Sequence, residues 1–398
     1  MIKYIVFLGL GINQIEFIEA AKSLGYKIIG FDRREPSYCR EICDHYYKVA
    51  INKKYAVQEI VSNFTNIIGC ISEQTDTALE TVGFINSKLG LCGPTQFLTS
   101  IIRNKYLQRK SAESFGIAQP KFLLHKNRPE FLTEFENEFF NVDEVVIKPV
   151  VGQSSIGLFN YEVKNIIEAL NKGIDPFLAI KKEFGEVLVE EKLNGKDISI
   201  DGFVSNGFIS IAIVCEKIKN RKNLFVDQIL IGSGINNKKY PNELNFVERL
   251  IGTHKLNNSF FHIELKKFED EIKLIEWTCR GGGSGLSSTL VSNMLGLDYP
   301  KIRIQLLESD KTLKLKPNDD VIGTMMFFDD YSRPNNKKLA ALKNKAQYWQ
   351  YSNIEKILQC DLTGIRDGRD RKSKLIACFS KKRVKSSEIE ESLKGAVI

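Results

Sequence analysis

The sequence predicts a protein of mixed α/β and α+β class, in which an open parallel α/β domain precedes an antiparallel part. Its 398 residues exceed one ordinary domain and fit two or three. Strand and helix patterns alternate over residues 1–95, which is typical of an open parallel sheet. Strand patterns with intervening turns follow at residues 198–213 and are typical of antiparallel strands.

The N-terminal elements follow one another in βαβ order. Apolar runs or helical spacing define four segments: residues 4–8, 15–24, 27–31 and 67–71. Ligands of open parallel sheets bind beyond the carboxyl ends of the strands. The segments at these ends are residues 9–13, 32–34 and 72–76. Asp76 either lines this edge or caps the helix that follows it.

The first strand end also resembles part of a dinucleotide-binding fingerprint. Gly9 and Gly11 fit its start, but Gln14 stands where the third glycine belongs. Asp32 follows at about the position of a ribose ligand. A tight turn between strand and helix explains the glycines as well, so nicotinamide binding stays a minor alternative.

Composition excludes several classes of protein. No apolar stretch is long enough to span a membrane. The eight cysteines include no CxxC pair, which predicts reduced thiols and a cytoplasmic chain. The net charge is only +8, and the basic runs at residues 366–372 and 381–383 lack interleaved aromatic residues. The charge pattern therefore argues against a nucleic-acid partner.

A predicted hairpin carries two acidic residues that face each other. Glu264 and Glu276 lie equally far from Asp270, so a turn centred there would place them opposite each other, roughly 5 Å apart. Thr278 and Arg280 follow on the same face. Facing carboxylates repel unless a cation lies between them, and Mg²⁺ uses one or two carboxylates together with phosphates and water. The alternative is a solvated acidic hairpin.

Two further segments suit a nucleotide. Lys148 ends a predicted strand and precedes a loop with Gly152, Ser154, Ser155 and Gly157, whose backbone N–H groups could meet phosphate oxygens. The loop is not a Walker motif, and such loops are often plain turns. Residues 188–197 could present backbone to an adenine edge, with Asp197 accepting from ribose hydroxyls, although a solvated surface also explains them.

Taken in order, these features resemble the ATP-grasp superfamily, specifically its carboxylate–amine ligase branch with a preceding α/β domain. The branch includes biotin carboxylase, halves of carbamoyl phosphate synthetase, purine-pathway enzymes and L-amino-acid ligases. The resemblance covers residues 1–300. It implies an N-terminal open parallel α/β (pre-ATP-grasp) domain followed by a two-lobed ATP-grasp domain. The implied segments are 1–98 for the first domain, 99–125 for a helical linker, 126–192 for the small lobe or lid, 193–305 for the large lobe and 306–398 for a C-terminal subdomain.

The resemblance also implies the residues of the site. The residues that it implies for phosphate binding are Lys105, Lys148, Gly152, Ser154, Ser155 and Gly157. The residues that it implies for adenine and ribose binding are Glu190, Glu191, Leu193 and Asp197. The metal positions are Glu264, Glu276 and Thr278, where threonine replaces the asparagine of the family's Glu-x-Asn-x-Arg. The catalytic positions are Arg280 and Lys217, and residues 281–285 resemble the glycine-rich substrate segment of the amino-acid ligases.

The implied activity is ATP-dependent ligation of a carboxylate to an amine through an acyl phosphate. The cofactors would be ATP and Mg²⁺ or Mn²⁺, and the partners would be small-molecule carboxylates and amines, amino acids among them. Homodimerisation is left open. Two alternatives remain: a bicarbonate-using, purine-type carboxylase, and a nucleotide-binding module without catalysis.

Overall fold

The computed structural model describes residues 2–34, 37–126, 130–152, 155–220, 224–234, 240–308, 310–316, 318–328, 334–353 and 373–396. The strands of these segments form three sheets, and the helices pack on the sheets. None of the described helices has both the length and the apolar character needed to cross a membrane.

The N-terminal sheet is parallel and has the strand order β3-β2-β1-β4. Its elements are β1 (Tyr4–Leu8), α1 (Ile15–Ser23), β2 (Lys27–Phe31), β3 (His45–Tyr47), α2 (Lys54–Val61), β4 (Ile67–Ile71) and α3 (Leu79–Leu89). Side chains of β1 alternate between two buried cores: Ile5 and Phe7 belong to one, and Val6 and Leu8 to the other. A strand covered on both faces reads as a continuous apolar run, and the predicted open parallel α/β domain is confirmed.

Two short helices connect this sheet to the next one. They are α4 (Gln96–Arg103) and α5 (Lys105–Ser114). The side chain of Asn104 caps α5 by accepting from the backbone N–H of Leu107 at 2.9 Å. The cap begins the helix at Lys105, whose own N–H donates to the carbonyl of Val150. The lysine is thereby held beside the start of the loop that contains Gly152.

The second sheet is antiparallel and has the strand order β5-β8-β6-β7. Its elements are β5 (Phe122–Leu124), α6 (Phe131–Glu138), β6 (Glu144–Pro149), β7 (Phe159–Glu162), α7 (Val163–Asn171), α8 (Leu178–Phe184) and β8 (Val187–Glu191). The helices cover one face of the sheet with a core rich in phenylalanine, including Phe131, Phe135 and Phe177.

The third sheet has eight antiparallel strands in the order β13-β12-β9-β10-β11-β14-β16-β15. Its strands are β9 (Lys196–Ser205), β10 (Phe208–Lys219), β11 (Asp227–Ser233), β12 (Ser259–Phe268), β13 (Glu271–Thr278), β14 (Val321–Phe328), β15 (Tyr348–Asn353) and β16 (Ser373–Ser380). The helices of this part are α9 (Pro241–His254), α10 (Val291–Leu295), α11 (Tyr299–Gln305), α12 (Asn336–Lys343) and α13 (Ser386–Lys394), with a π-helical turn at Leu286–Leu290. The three strands that come last in the chain, β14, β15 and β16, therefore belong to the same sheet as β9–β13.

The predicted hairpin is present, and it pairs Glu264 with Glu276. The turn lies at Glu269 and Asp270, between the paired residues Phe268 and Glu271. A bulge at Ile275 then shifts the register by one residue, which restores the expected pairing. The pairing is thus confirmed, although a bulge rather than a symmetric turn produces it.

Candidate functional site

A cavity of ≈ 560 Å³ opens between the second and third sheets. Ten of the predicted site residues line it: Lys105, Lys148, Gly152, Ser155, Glu190, Glu191, Leu193, Asp197, Glu264 and Glu276. The fold therefore brings together residues that are up to 171 positions apart in the sequence, from Lys105 to Glu276. Ser154 lies outside the described residues.

Gly157, Lys217, Thr278 and Arg280 are not among the residues that line this cavity. Gly157 has a left-handed φ of 71°, and a Cβ there would approach Pro149 Cγ to 2.8 Å. Only glycine fits this turn, so the residue shapes the loop from behind. The other three lie near the facing carboxylates and are described with them below.

Two residues of the cavity wall, Lys148 and Glu190, belong to a buried triad of charges with Arg109. Glu190 accepts from Arg109 Nε at 2.7 Å and pairs with Lys148 Nζ at 2.6 Å, and all three side chains are almost fully buried. Neighbouring strands produce this contact, since β6 and β8 pair Val146 with Glu190 and Lys148 lies two residues along the same face. The carboxylate of Glu190 is therefore engaged with two cations.

Burial and charge act in opposite directions within this triad. Burial opposes the ionisation of Glu190, but Arg109 and Lys148 outweigh it and hold the pKa of the carboxyl below its usual range. Burial lowers the pKa of Lys148 to about 8, and the Glu190 carboxylate offsets this only in part. Lys148 is thus a cation at neutral pH that loses its charge in mildly alkaline solution.

Lys105 joins the loop after β6 to the hairpin. Its Nζ donates to the carbonyl oxygen of Gly152 at 3.1 Å and lies 3.2 Å from Glu276 Oε1. On the other strand of the hairpin, Glu264 Oε1 accepts from Lys217 Nζ at 2.6 Å. The two facing carboxylates are therefore each paired with a lysine, which explains why the sheet tolerates them.

Lys217 connects Glu264 to a second acid. Its Nζ is 3.1 Å from Asp227 Oδ2, and its side chain is 3% exposed. Burial would lower the pKa of Lys217, but Asp227 and Glu264 raise it above its usual value. Burial likewise opposes ionisation of Glu264, yet Lys217 and His262 hold the pKa of that carboxyl far below its usual range. Both groups stay charged at neutral pH.

The facing carboxylates fit a magnesium site of the two-carboxylate kind. Each side chain is 34% exposed, and the Oε2 atoms of Glu264 and Glu276 accept no hydrogen bond from any described residue. Among the described segments no group of three or more His, Cys, Asp or Glu residues is placed to hold a metal. A metal with only one or two protein carboxylates and otherwise phosphate and water ligands is typical of Mg²⁺.

Thr278 and Arg280 meet an acid of the N-terminal domain. Arg280 donates to Asp76 from Nε at 2.9 Å and from a terminal nitrogen at 2.6 Å. The hydroxyl of Thr278 donates to the same carboxylate at 2.9 Å. The carboxylate of Asp76 therefore pairs with Arg280 and Thr278 and does not cap α3, which begins at Leu79 without a side-chain cap. Thr278 as a metal ligand stays a prediction.

The glycine-rich segment is held through its backbone. Gly281 N donates to Glu73 Oε2 at 3.0 Å, and Gly282 N donates to Asp201 Oδ1 at 2.7 Å. Glu73 also pairs with Arg303 Nε at 2.5 Å, with both side chains buried. Glu73, which follows β4, and Asp201 of β9 therefore hold the backbone of this loop.

Several residues of the site escaped the sequence analysis although simple spacing marks some of them. Arg109 lies four residues after Lys105 and so shares its helix face. Asp201 and His262 lie at even spacing from Asp197 and Glu264 and so share their strand faces. No pattern in the sequence marks Asp227 as a site residue, because its contact with Lys217 depends on the pairing of β10 and β11.

The chain is similar in sequence and fold to known proteins. Residues 142–288 match the family model of the ATP-grasp domain. No curated protein matches the chain. An L-amino acid ligase from Bacillus licheniformis has 14% identity and a TM-score of 0.71, over 99% of this chain and 98% of that one.

Two further solved structures share the fold. N5-carboxyaminoimidazole synthetase from Staphylococcus aureus, complexed with ADP, has 15% identity and a TM-score of 0.72, over 98% of this chain and 96% of that one. The biotin carboxylase domain dimer of 2-oxoglutarate carboxylase from Hydrogenobacter thermophilus has 13% identity and a TM-score of 0.72, over 100% of this chain and 90% of that one. Residues 142–288 thus match the ATP-grasp domain that the resemblance implies, and the chain shares its overall fold with these three structures.

Proposed function

We propose that the chain is an ATP-dependent carboxylate–amine ligase that forms an amide bond through an acyl phosphate. The observation that carries this proposal is the single cavity in which two lysines, a glycine and serine loop and two facing carboxylates converge. The similar L-amino acid ligase and the ADP complex of N5-carboxyaminoimidazole synthetase support a ligase with a nucleotide in this cavity.

ATP fits along the cavity with its base at the end of β8. The backbone N–H of Leu193 has no partner among the described residues and is available to an adenine nitrogen. Asp197, which accepts from Lys266 Nζ at 2.8 Å, faces the ribose. The triphosphate extends towards Lys105 and Lys148, where two ammonium groups balance its negative charge.

Magnesium (or manganese) would be held by Glu264 and Glu276 together with phosphate oxygens. When bound, the metal neutralises charge on the transferred phosphoryl group. The protein contributes the orientation of the two carboxylates, which Lys217 and Lys105 hold by one oxygen each. The MgADP named for the similar biotin carboxylase domain supports this assignment.

The reaction then needs little covalent work from the protein. An oxygen of the substrate carboxylate attacks the γ-phosphorus of ATP, and ADP leaves. The amine nitrogen next attacks the acyl carbon, phosphate leaves and the amine loses a proton. Arg280 binds the carboxylate and the acyl phosphate formed from it, while Asp76 holds the guanidinium in place. Catalysis is thus positioning and charge stabilisation.

The affinity for nucleotide should fall in alkaline solution. Only the protonated form of Lys148 attracts phosphate, and its pKa of about 8 means that the free protein loses this charge above that pH. We expect the loss of this charge to leave ADP affinity nearly constant below about pH 7 and to lower it by up to about tenfold by about pH 9. Calorimetric titration of ADP measures this, and Lys148→Arg, which keeps its charge, should show a flatter profile. An identical profile in both proteins would contradict the assignment.

The proposed activity is tested by release of ADP and phosphate from MgATP. Pooled amino acids and small carboxylates serve as substrates, with Glu276→Gln as the inactive protein. Glu271→Gln, an exposed change on the same strand, is the matched control. We expect release that requires the pool, disappears in Glu276→Gln and persists in Glu271→Gln. Dividing the pool would then identify the carboxylate and the amine.

Other outcomes would point to the alternatives. Release that bicarbonate alone stimulates would indicate a carboxylase of the purine type. ADP binding without turnover in any mixture would indicate a nucleotide-binding module. Homodimerisation stays a prediction, which light scattering after gel filtration would test.

A further inference from the structure

A line of hydrogen bonds leads from Glu264 away from the cavity. His262 lies two residues before Glu264 on β12 and therefore on the same face. Its Nε2 is 3.2 Å from Glu264 Oε1, and its Nδ1 is 2.8 Å from Asp201 Oδ2. Asp201 is the direct partner of His262 in the pairing of β12 with β9. The histidine thus bridges two carboxylates across adjacent strands.

Asp201 extends this line to the glycine-rich segment at residues 281–285. Its side chain is 1% exposed, and its second oxygen accepts from the backbone N–H of Gly282 at 2.7 Å. A Cβ at Gly282 would approach Asp201 Oδ1 to 2.7 Å and His262 Nδ1 to 3.1 Å. Only glycine allows the loop so close to these side chains. The loop backbone therefore rests directly on the pair.

We propose that His262 and Asp201 are positioning residues that orient the Glu264 carboxylate for the metal and couple that orientation to the glycine-rich segment. His262 and Lys217 both hold Oε1 of Glu264, so the other oxygen is the one left for a metal. Without His262, the carboxylate would keep only its contact with Lys217 and could rotate about that single contact. Asp201 does not touch Glu264 in this arrangement and acts on it through the imidazole.

This inference rests on the proposed magnesium–nucleotide site, so its test measures binding rather than turnover. ADP affinity is measured by calorimetry in EDTA and over a series of Mg²⁺ concentrations. Partners that orient metal ligands typically change metal affinity by about 10–100-fold when they are mutated. We expect His262→Leu and Asp201→Asn each to raise the half-saturating Mg²⁺ concentration by at least about tenfold. ADP affinity in EDTA should not change.

A double variant separates coupling from general damage. If Asp201 acts through His262, the variant with both His262→Leu and Asp201→Asn should show the same Mg²⁺ dependence as His262→Leu alone. His254→Leu is the matched control, because His254 is a partly buried histidine of α9 outside the cavity, and it should behave as wild type. His262→Gln replaces the leucine variant if the latter does not fold.

The calorimetric results would overturn different parts of the proposal. Unchanged Mg²⁺ dependence in both single variants would overturn the inference while the proposed function stands. Effects that multiply in the double variant would overturn the coupling through His262. A wild-type chain that binds no ADP in either buffer would overturn the proposed function and the inference with it.

Discussion

Replacing Arg280 with alanine should reduce turnover by about 10²–10³-fold and leave ADP affinity unchanged. Arg280 lies just beyond the end of β13 and donates to the carbonyl oxygen of Gly281 at 2.8 Å, and it is not among the residues that line the nucleotide cavity. Its loss removes charge stabilisation from the acyl phosphate and not from the nucleotide. Phosphate release with the identified substrates and calorimetry with MgADP measure the two quantities separately.

The single variant has a structural side effect that needs a control. Asp76 is buried, and the Arg280 guanidinium overcomes the opposing effect of burial and holds the pKa of this carboxyl below its usual range. Removing the arginine alone leaves a buried charge without compensation. The double variant Asp76→Asn with Arg280→Gln leaves no such charge, and it should fold normally and still fail to turn over. Retained turnover in this variant would refute the function assigned to Arg280.

Replacing Glu190 with glutamine should lower the free energy of unfolding by about 3–5 kcal/mol. The change leaves Arg109 and Lys148 buried side by side without their common carboxylate, and both are almost fully excluded from solvent. Urea unfolding measures the loss. Glu191→Gln is the matched control on the next residue, where the side chain is 24% exposed and the loss should be below about 1 kcal/mol.

A further variant distinguishes the cost of unpaired charge from the loss of an attractive contact. Changing Arg109, Glu190 and Lys148 together to methionine removes all three charges, and apolar replacement of a buried ionic group is often neutral or stabilising. This variant should therefore be more stable than Glu190→Gln and should not bind ADP, because Lys148 is absent. Equal stability of Glu190→Gln and Glu191→Gln would show that the triad contributes no more to the free energy of unfolding than a surface ion pair does.

Local spacing in the sequence was sufficient for some features of the site. Glu264 and Glu276 were paired correctly because side chains alternate along strands and a polar turn lies between them, even though the bulge at Ile275 was not foreseen. The apolar run of β1 is a similarly local signal. Such patterns depend only on neighbouring residues, and so the sequence alone contains them.

Contacts between distant segments were beyond this kind of reasoning. Glu190 was assigned to the adenine through its backbone, yet its side chain binds Arg109, 81 residues earlier. Asp76 was left undecided between a cap and the site, and only the approach of Arg280, 204 residues later, settles where its carboxylate lies. No local rule connects such pairs.

The sequence by itself determined the class of fold and the pairing of the two facing carboxylates. Only the tertiary structure decided which charged side chains pair with each other: Glu190 with Lys148, Arg280 with Asp76, and Glu264 with His262. The physical reason is that propensity and side-chain alternation act over a few residues, whereas the pairing of buried charges depends on which strands and loops meet. Burial then makes the loss of one partner costly, because an isolated buried charge is unfavourable.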